Sequence, residues 1–152
     1  MEDKYMKIAF DEAIKAYNKD EIPVGAIIVS NNKIIAKAYN TKEHKKSVTK
    51  HAELIAIEKA SKIKKDWRLE EATLYTTLFP CPMCASAIQQ ARIKKVVYVH
   101  NSNNDEMYKI SKKILTSKRS NHQVEIEKYN SESNLLNLFF KKIRKDNVSR
   151  ET

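Results

Sequence analysis

Strand-like and helix-like segments alternate along this chain, and that alternation limits the folds it can adopt. Apolar residues recur every three or four positions in 4–18, which is the spacing of an amphipathic helix. The next two segments, 24–29 and 33–38, are rich in apolar and β-branched residues. They flank Asn31-Asn32, a pair that predicts the turn of a β-hairpin. Helix-like and strand-like runs then alternate to the end of the chain.

This order of elements predicts the fold class, because strands that alternate with helices form one sheet covered by helices on both faces. The opening hairpin is antiparallel, whereas strands joined through helices run parallel, so the sheet is expected to be mixed. The predicted architecture is therefore α/β, a three-layer α-β-α sandwich around a mixed five-stranded sheet. We expect Thr49 to cap the second helix. The predicted helices span 4–18, 51–62, 81–92, 106–117 and 132–145, and the predicted strands span 24–29, 33–38, 72–78, 95–99 and 123–128.

The length of 152 residues suits one domain, so we expect residues 1–152 to form a single domain. A chain of this size buries about two-thirds of its unfolded surface and needs no disulfide scaffold. No apolar run reaches the length of a membrane span, and the first residues include acids rather than a long apolar leader. We therefore expect a cytoplasmic protein without membrane contact, in which two cysteines favour metal or redox chemistry over a disulfide.

The formal net charge of +10 allows two interpretations. One interpretation is a lysine-rich surface that is unrelated to any ligand. The other, equally good, is a surface that attracts a polyanion such as a nucleic acid. The charge alone does not choose between them.

Two short motifs, His-Ala-Glu at 51–53 and Pro-Cys-Pro-Met-Cys at 80–84, carry the chemistry of the chain. Cys81 and Cys84 are three residues apart at a predicted helix start, so both sulfurs can project from one turn. The start of a helix also stabilises thiolates. With the imidazole of His51 they make a set of three metal ligands, which leaves a zinc ion one position for water, as in catalytic zinc sites.

Glu53 follows the predicted ligand His51 by two residues, and its carboxylate is suited to proton transfer. Zinc lowers the pKa of bound water from about 15.7 to about 7, which makes hydroxide available at neutral pH. A carboxylate beside that water can take its proton and deliver it to a ring nitrogen and a leaving amine. An H-x-E motif followed by P-C-x-x-C on the next helix is typical of zinc-dependent nucleobase deaminases.

Over almost its whole length the sequence resembles the bacterial transfer-RNA-specific adenosine deaminases, which convert wobble adenosine to inosine. The resemblance includes the two zinc motifs and several segments on either side of them. These segments are Glu21 to Ala26, Asn31-Asn32, Asn40, Thr73 to Leu78, Ala85, Arg92-Ile93, Asn121-His122, Leu135-Leu136 and Phe139-Phe140 before a basic tail.

The resemblance implies a cytidine deaminase-like fold, one Zn²⁺ per chain and a homodimer that binds the tRNA anticodon loop across both subunits. By the same resemblance, His51, Cys81 and Cys84 are the zinc ligands and Glu53 is the proton shuttle. Asn40 is expected to hydrogen-bond the flipped nucleoside. The residues expected to surround the base are Ile22, Val24, Ala52 and Leu78.

Three features differ from the family pattern. Phe79 replaces a glutamate before the Pro-Cys motif, Ser47-Val48-Thr49 replaces Asp/Asn-Pro-Thr, and residues 101–108 replace a glycine-containing loop. Phe79 and the 101–108 loop motivate an alternative, a deaminase of a free base, nucleoside or nucleotide. A thiol redox protein and a zinc-stabilised RNA-binding module are two further alternatives.

An RNA substrate would need basic residues near the site to hold phosphates and aromatic residues to stack on bases. Phe139 and Phe140 are interpreted either as core residues of the last helix or as part of a wall facing the base. No chemical role is predicted for His44, His100 or His122. The candidate phosphate-binding residues are Lys42, Lys45, Lys46, Lys50, Arg92, Lys109 and the basic run 141–145.

Overall fold

The structure is a computed structural model that describes residues 2–101, 104–130, 141, 144 and 145. None of the helices in these ranges combines the length and the apolar character needed to cross a membrane. The helices are α1 (Glu2–Asn18), α2 (Lys42–Lys45), α3 (Ala52–Lys64), α4 (Pro82–Gln90) and α5 (Asp105–Thr116), and the strands are β1 (Gly25–Ser30), β2 (Lys33–Tyr39), β3 (Thr73–Leu78), β4 (Lys95–His100) and β5 (Glu125–Lys128).

The strands form one five-stranded sheet in the order β2-β1-β3-β4-β5. β1 is antiparallel to both β2 and β3, whereas β3, β4 and β5 are parallel to one another. The β1–β2 turn consists of Asn31 and Asn32, with φ of 52° and 63°, the left-handed conformation that two-residue hairpins require. The predicted mixed sheet and its opening hairpin are therefore confirmed.

Helices cover both faces of the sheet, because the central strands are apolar on both sides. On one face α1 packs Met6 and Phe10 against Ile27 of β1 and Val97 of β4. The opposite face packs against α3, α4 and α5. There α3 presents Ala52, Ala56 and Ala60, which are fully buried. Small side chains at this spacing let the α3 backbone approach the sheet closely. The predicted three-layer architecture is confirmed.

Most predicted elements are present, but two helix starts differ. Thr49 does not cap α3: the N-cap residue is His51, and the Thr49 hydroxyl lies 3.1 Å from that of Ser47. The next helix begins at Pro82, with Cys81 as its N-cap. The short helix α2 lies in a segment for which neither a helix nor a strand was predicted. The predicted last helix, 132–145, lies outside the described residues except for Lys141, Arg144 and Lys145.

His122 has a structural role that its sequence context did not indicate. Its Nε2 lies 2.7 Å from the carbonyl oxygen of Ile93, just before β4. The side-chain amide of Gln89 donates a hydrogen bond to the carbonyl oxygen of His122. These contacts hold the connection from α5 to β5 against the end of α4 and the start of β4.

Gly25, the single glycine of the chain, lies where β1 meets α1. A Cβ atom at this position would lie 2.0 Å from the carbonyl oxygen of Ala9 and 2.5 Å from the backbone nitrogen of Ala13. Both obstacles belong to the backbone of α1, so they cannot move aside as a flexible side chain would.

We expect Gly25→Ala to lower the free energy of unfolding by ~3 kcal/mol, because the added methyl group must push α1 away from the sheet. Urea unfolding at a fixed zinc concentration measures the change. Lys33→Ala, at an exposed position of β2, serves as the control and should change stability by less than about 0.5 kcal/mol. Equal unfolding midpoints for Gly25→Ala and the wild type would contradict the close packing of β1 on α1.

Candidate active site

A cavity of about 360 Å³ opens at the carboxyl ends of β3 and β4. Because β1 is antiparallel to β3, the residues that precede β1 meet those that end β3 at the same edge of the sheet. The backbone N–H of Phe79 donates to the carbonyl oxygen of His100, which extends the pairing of β3 with β4 to the mouth of the cavity. This edge is where open α/β sheets bind ligands.

Two helix starts point into this cavity. His51 is the N-cap of α3 and Cys81 is the N-cap of α4, and neither side chain makes the hydrogen bond that an N-cap side chain usually makes to its own helix. Both backbones are extended at these residues, with ψ of 147° at His51 and 169° at Cys81. The imidazole and the thiol face each other instead of capping their helices, with His51 Nδ1 3.7 Å from Cys81 Sγ.

The geometry of the three predicted ligands fits a tetrahedral zinc ion. His51 Nδ1 lies 3.7 Å from Cys81 Sγ and 3.4 Å from Cys84 Sγ. All three ligand atoms lie within 4.8 Å of one another. Zn–S bonds of about 2.3 Å and Zn–N bonds of about 2.0 Å at a tetrahedral angle hold sulfur and nitrogen roughly 3.5 Å apart. In the described part of the chain this cluster has three members, which leaves the fourth position to a small molecule.

The two cysteines form a coupled acid pair. A hydrogen bond from the Cys84 thiol is the main reason that the pKa of Cys81 falls to about 5. The same hydrogen bond, followed by burial, raises the pKa of Cys84. The pair thus carries one thiolate readily, and a divalent cation is the partner that allows the second thiol to ionise.

Glu53 lies in the first turn of α3 and lines the same cavity. Its side chain contacts Cys84, and the residue is only 4% exposed. Burial is the main reason that its pKa rises to about 7, and the negative charge of Cys81 raises it further. A carboxyl group whose pKa lies near neutrality can both accept and release a proton at pH 7.

All five residues expected to contact a substrate line this cavity. Val24 and Ala52 are buried, whereas Ile22 is 61% exposed and lies at the mouth. Asn40 is also buried, and its Oδ1 accepts a hydrogen bond of 3.1 Å from the backbone N–H of Lys42. Leu78, the fifth residue, ends β3.

A buried carboxylate fixes the loop that carries Asn40. Glu21 accepts hydrogen bonds from the backbone N–H groups of Glu43 and His44, at 3.0 and 2.8 Å, and its Oε2 lies 2.7 Å from His44 Nδ1. Burial alone would raise the pKa of Glu21, but these hydrogen bonds outweigh it and lower the pKa. Glu21 therefore joins α2 to the segment that precedes β1, and this gives His44 a structural role.

Sequence reasoning missed one whole wall of the cavity. Phe79, noted only as a departure from the family pattern, is 3% exposed and lines the cavity. The centroid of its ring lies 4.8 Å from the ring centroid of Tyr98 and 4.7 Å from that of Tyr108. Residues 104, 107, 108 and 111 follow helical spacing, and this pattern could have predicted that they share one face of a helix. The residues that α5 and its N-cap contribute are Asn104, Met107, Tyr108 and Ser111.

The candidate phosphate-binding residues do not form one group. Lys42 lines the cavity. Lys45 and Lys50 line a neighbouring cleft beside β2. Arg92 lines a different cleft and lies over the ring of Trp67, 5.6 Å from its centroid. The described residues do not include two members of the basic run, Lys142 and Ile143. They also do not include the two aromatic candidates, Phe139 and Phe140.

The chain is similar in sequence to known proteins. Residues 1–100 match the family described as the cytidine and deoxycytidylate deaminase zinc-binding region. The tRNA-specific adenosine deaminase of Bacillus subtilis (strain 168) is 42% identical over 144 residues, which are 93% of this chain and 89% of that protein.

Two solved structures align over most of the chain. One, from studies of A-to-I editing by tRNA:A34 deaminases at the wobble position, has a TM-score of 0.73 and 30% identity, covering 84% of this chain and 98% of that one. The other, a guanine deaminase from Bacillus subtilis, has a TM-score of 0.65 and 29% identity, covering 94% and 93%.

The family match includes both motifs that supply the metal cluster. His51, Cys81 and Cys84 all lie within residues 1–100, and their geometry fits one zinc ion. The length of the match and the identity to the Bacillus subtilis relative lead to the same assignment. The chain belongs to the cytidine and deoxycytidylate deaminase family of zinc-binding enzymes.

Proposed function

We propose that this enzyme hydrolyses the exocyclic amine of adenosine at the wobble position of transfer RNA, which yields inosine and ammonia. The observation that carries the reaction type is a cluster of three metal ligands beside a buried glutamate in one cavity. The choice of substrate rests on the tRNA-specific adenosine deaminase that is 42% identical over 93% of the chain.

Each side chain of the site has a distinct task in this proposal. His51, Cys81 and Cys84 hold zinc, which supplies a Lewis acid that makes hydroxide available near pH 7. Glu53 takes one proton from the attacking water and passes it to a ring nitrogen. It then takes the second proton from the oxygen newly bonded to the ring carbon and gives it to the amine, which leaves as ammonia. Burial, the main cause of its raised pKa, brings this carboxyl group closer to neutrality than an exposed glutamate, which favours proton uptake and release at pH 7.

The substrate-binding roles follow from the chemistry of the cavity wall. Ile22, Val24, Ala52 and Leu78 supply an apolar lining for the flat faces of a base. Asn40 supplies an amide whose oxygen already accepts from Lys42, so its NH₂ group is the part suited to hydrogen-bond the nucleoside. A base must leave its stack to enter such a cavity, which favours an exposed anticodon loop over a duplex.

Electrostatics supports an RNA substrate. The net charge is +10, and Lys42 lies on the cavity wall with Lys45 and Lys50 in the adjoining cleft. Phosphates of the nucleotides that flank the target base fit this edge of the molecule. We include in the proposal a single domain over residues 1–152, a homodimer and a cytoplasmic location, where thiolates remain reduced.

A second candidate is a deaminase of a free base or nucleotide. The guanine deaminase from Bacillus subtilis, 29% identical with a TM-score of 0.65, favours it. So does the wall formed by Phe79, Met107 and Tyr108, because large side chains narrow the cavity.

Incubation of the zinc-loaded enzyme with transfer RNA that carries a wobble adenosine tests the choice of substrate. We expect inosine at that position, read by sequencing and by nucleoside analysis of the product. Absence of inosine together with turnover of guanine, cytosine or deoxycytidylate would favour the second candidate.

We expect Glu53→Gln to lower the deamination rate by about 100-fold or more while the protein keeps one zinc per chain, because the amide cannot shuttle protons. Elemental analysis and initial rates measure the two effects. Glu58→Gln is the matched control, since Glu58 lies on the same helix with a side chain that is 69% exposed. Loss of zinc from Glu53→Gln would identify Glu53 as a ligand, and activity without metal would support a thiol redox protein.

Binding to transfer RNA should weaken steeply with salt. Each contacted phosphate of a single strand contributes about −0.7 to the slope of log affinity against log salt, so four contacts give about −3. We expect Lys42→Gln to reduce the steepness by about 0.7, and Lys62→Gln, at an exposed position near the end of α3, to leave it unchanged. Fluorescence anisotropy measures the slope, and a value near zero would argue against an RNA substrate.

A further inference from the structure

One face of α5 forms a wall of the active-site cavity. Asn104, Met107, Tyr108 and Ser111 follow the spacing i, i+3, i+4 and i+7, and all four line the cavity. This spacing puts side chains on one stripe of a helix. The stripe runs from an exposed end to a buried one, since Met107 is 39% exposed and Ser111 is 1% exposed. Ser111 therefore lies at the closed end of the wall.

The polar groups on this stripe differ in their hydrogen bonding. Asn104 caps the helix, because its Oδ1 accepts from the backbone N–H of Met107 at 3.1 Å. The hydroxyl of Tyr108 is hydrogen-bonded to that of Tyr98. The Oγ of Ser111 is fully buried and has no hydrogen-bond partner among the described residues.

This lack of a partner needs an explanation, because a helical serine has one close at hand. Serine and threonine hydroxyls inside helices can bond the carbonyl oxygen three or four residues earlier. Thr116, on the same helix, does so: its hydroxyl donates to the carbonyl oxygen of Lys112 at 2.7 Å. A buried hydroxyl without a partner costs about 1–3 kcal/mol. Ser111 lines the cavity, so a rotation of its side chain towards a bound polar ligand would give the hydroxyl the partner that it lacks.

We propose that Ser111 is a specificity-determining residue whose hydroxyl hydrogen-bonds a polar atom on the edge of the nucleobase in the cavity. The proposal rests on the proposed function, in that the base is an adenine presented by RNA. A hydroxyl both donates and accepts, so it can donate to a ring nitrogen that the deamination leaves unchanged. Glu53 and the metal cluster act on the amine, whereas Ser111 acts on recognition alone.

Ser111→Ala and its matched control Thr116→Val test the role in binding. The control removes a hydroxyl from the same helix at an exposed position where it is already satisfied. With zinc-loaded enzymes and transfer RNA that carries a wobble adenosine, we expect Ser111→Ala to raise KM about 10-fold and to change kcat by less than about 2-fold. Thr116→Val should leave both constants unchanged.

Thermal unfolding separates recognition from a structural role. Removing a buried hydroxyl without a partner should preserve or raise the Tm of Ser111→Ala. A lower Tm with unchanged KM would overturn the proposal, because the hydroxyl would then serve the fold and not the substrate. The same variant in a Glu53→Ala background, which cannot turn substrate over, should bind an anticodon stem-loop about 10-fold more weakly.

Substrate analogues identify the partner atom. Stem-loops with 3-deaza- or 7-deaza-adenine at the wobble position each lack one ring nitrogen. The analogue without the bonded nitrogen should lose about 10-fold on the wild type and nothing more on Ser111→Ala, because both changes delete the same hydrogen bond. Losses that are additive for both analogues would overturn the assignment of a ring nitrogen as partner.

Failure of the proposed function gives a different result from failure of this inference. If the wild type forms no inosine but deaminates guanine, the substrate is wrong, and KM for guanine in the two variants decides the role of Ser111. A rise confined to Ser111→Ala supports the proposal. Equal KM values for the wild type and both variants overturn it.

Discussion

The structure depends on the convergence of two helix N-termini at one edge of the sheet. His51 begins α3 and Cys81 begins α4, and both side chains are released from capping their own helices. His51 Nδ1 and Cys81 Sγ are 3.7 Å apart, a distance that suits two ligands of one tetrahedral ion. The helix dipoles favour the negative charge that accumulates where two thiolates meet. The positions of these two helix starts therefore fix where the chemistry occurs.

The sheet determines how well that convergence is held. α3 lies close to β1 and β2 because it presents alanines to them, and β1 in turn lies against the backbone of α1 because Gly25 has no side chain. The hydrogen bond from the Gly25 N–H to Thr77 Oγ1, 3.1 Å long, ties the start of β1 to β3, which leads into the Cys81 motif. The elements that form the cavity are thus held by close backbone contacts between α3, the sheet and α1. Such contacts resist small displacements of the ligands.

The sequence predicted the fold and the metal cluster well, for physical reasons. Periodicity is a local property, so 4–18 and 24–29 could be assigned as helix and strand from their own residues. The ligand motifs are short and occupy helix starts, which also have local signals. Thr49 was assigned wrongly because a threonine near a helix start resembles a cap. Glu21 could not be linked to His44, because a contact between residues 23 positions apart is decided by the tertiary fold. Phe79 could not be placed against Tyr108 for the same reason.

Local sequence specifies the chemistry of this enzyme, whereas tertiary contacts assemble the part of the cavity proposed to choose the substrate. The metal cluster and Glu53 are supplied by helix starts that the motifs specify, and such a site could act on any amine that reaches it. Under the proposed function, selection comes from the wall that Phe79 and α5 form. Because α5 supplies none of the metal ligands, its side chains can vary without moving them. Differences in substrate within this family are then expected in α5 and its preceding loop more than in the zinc motifs.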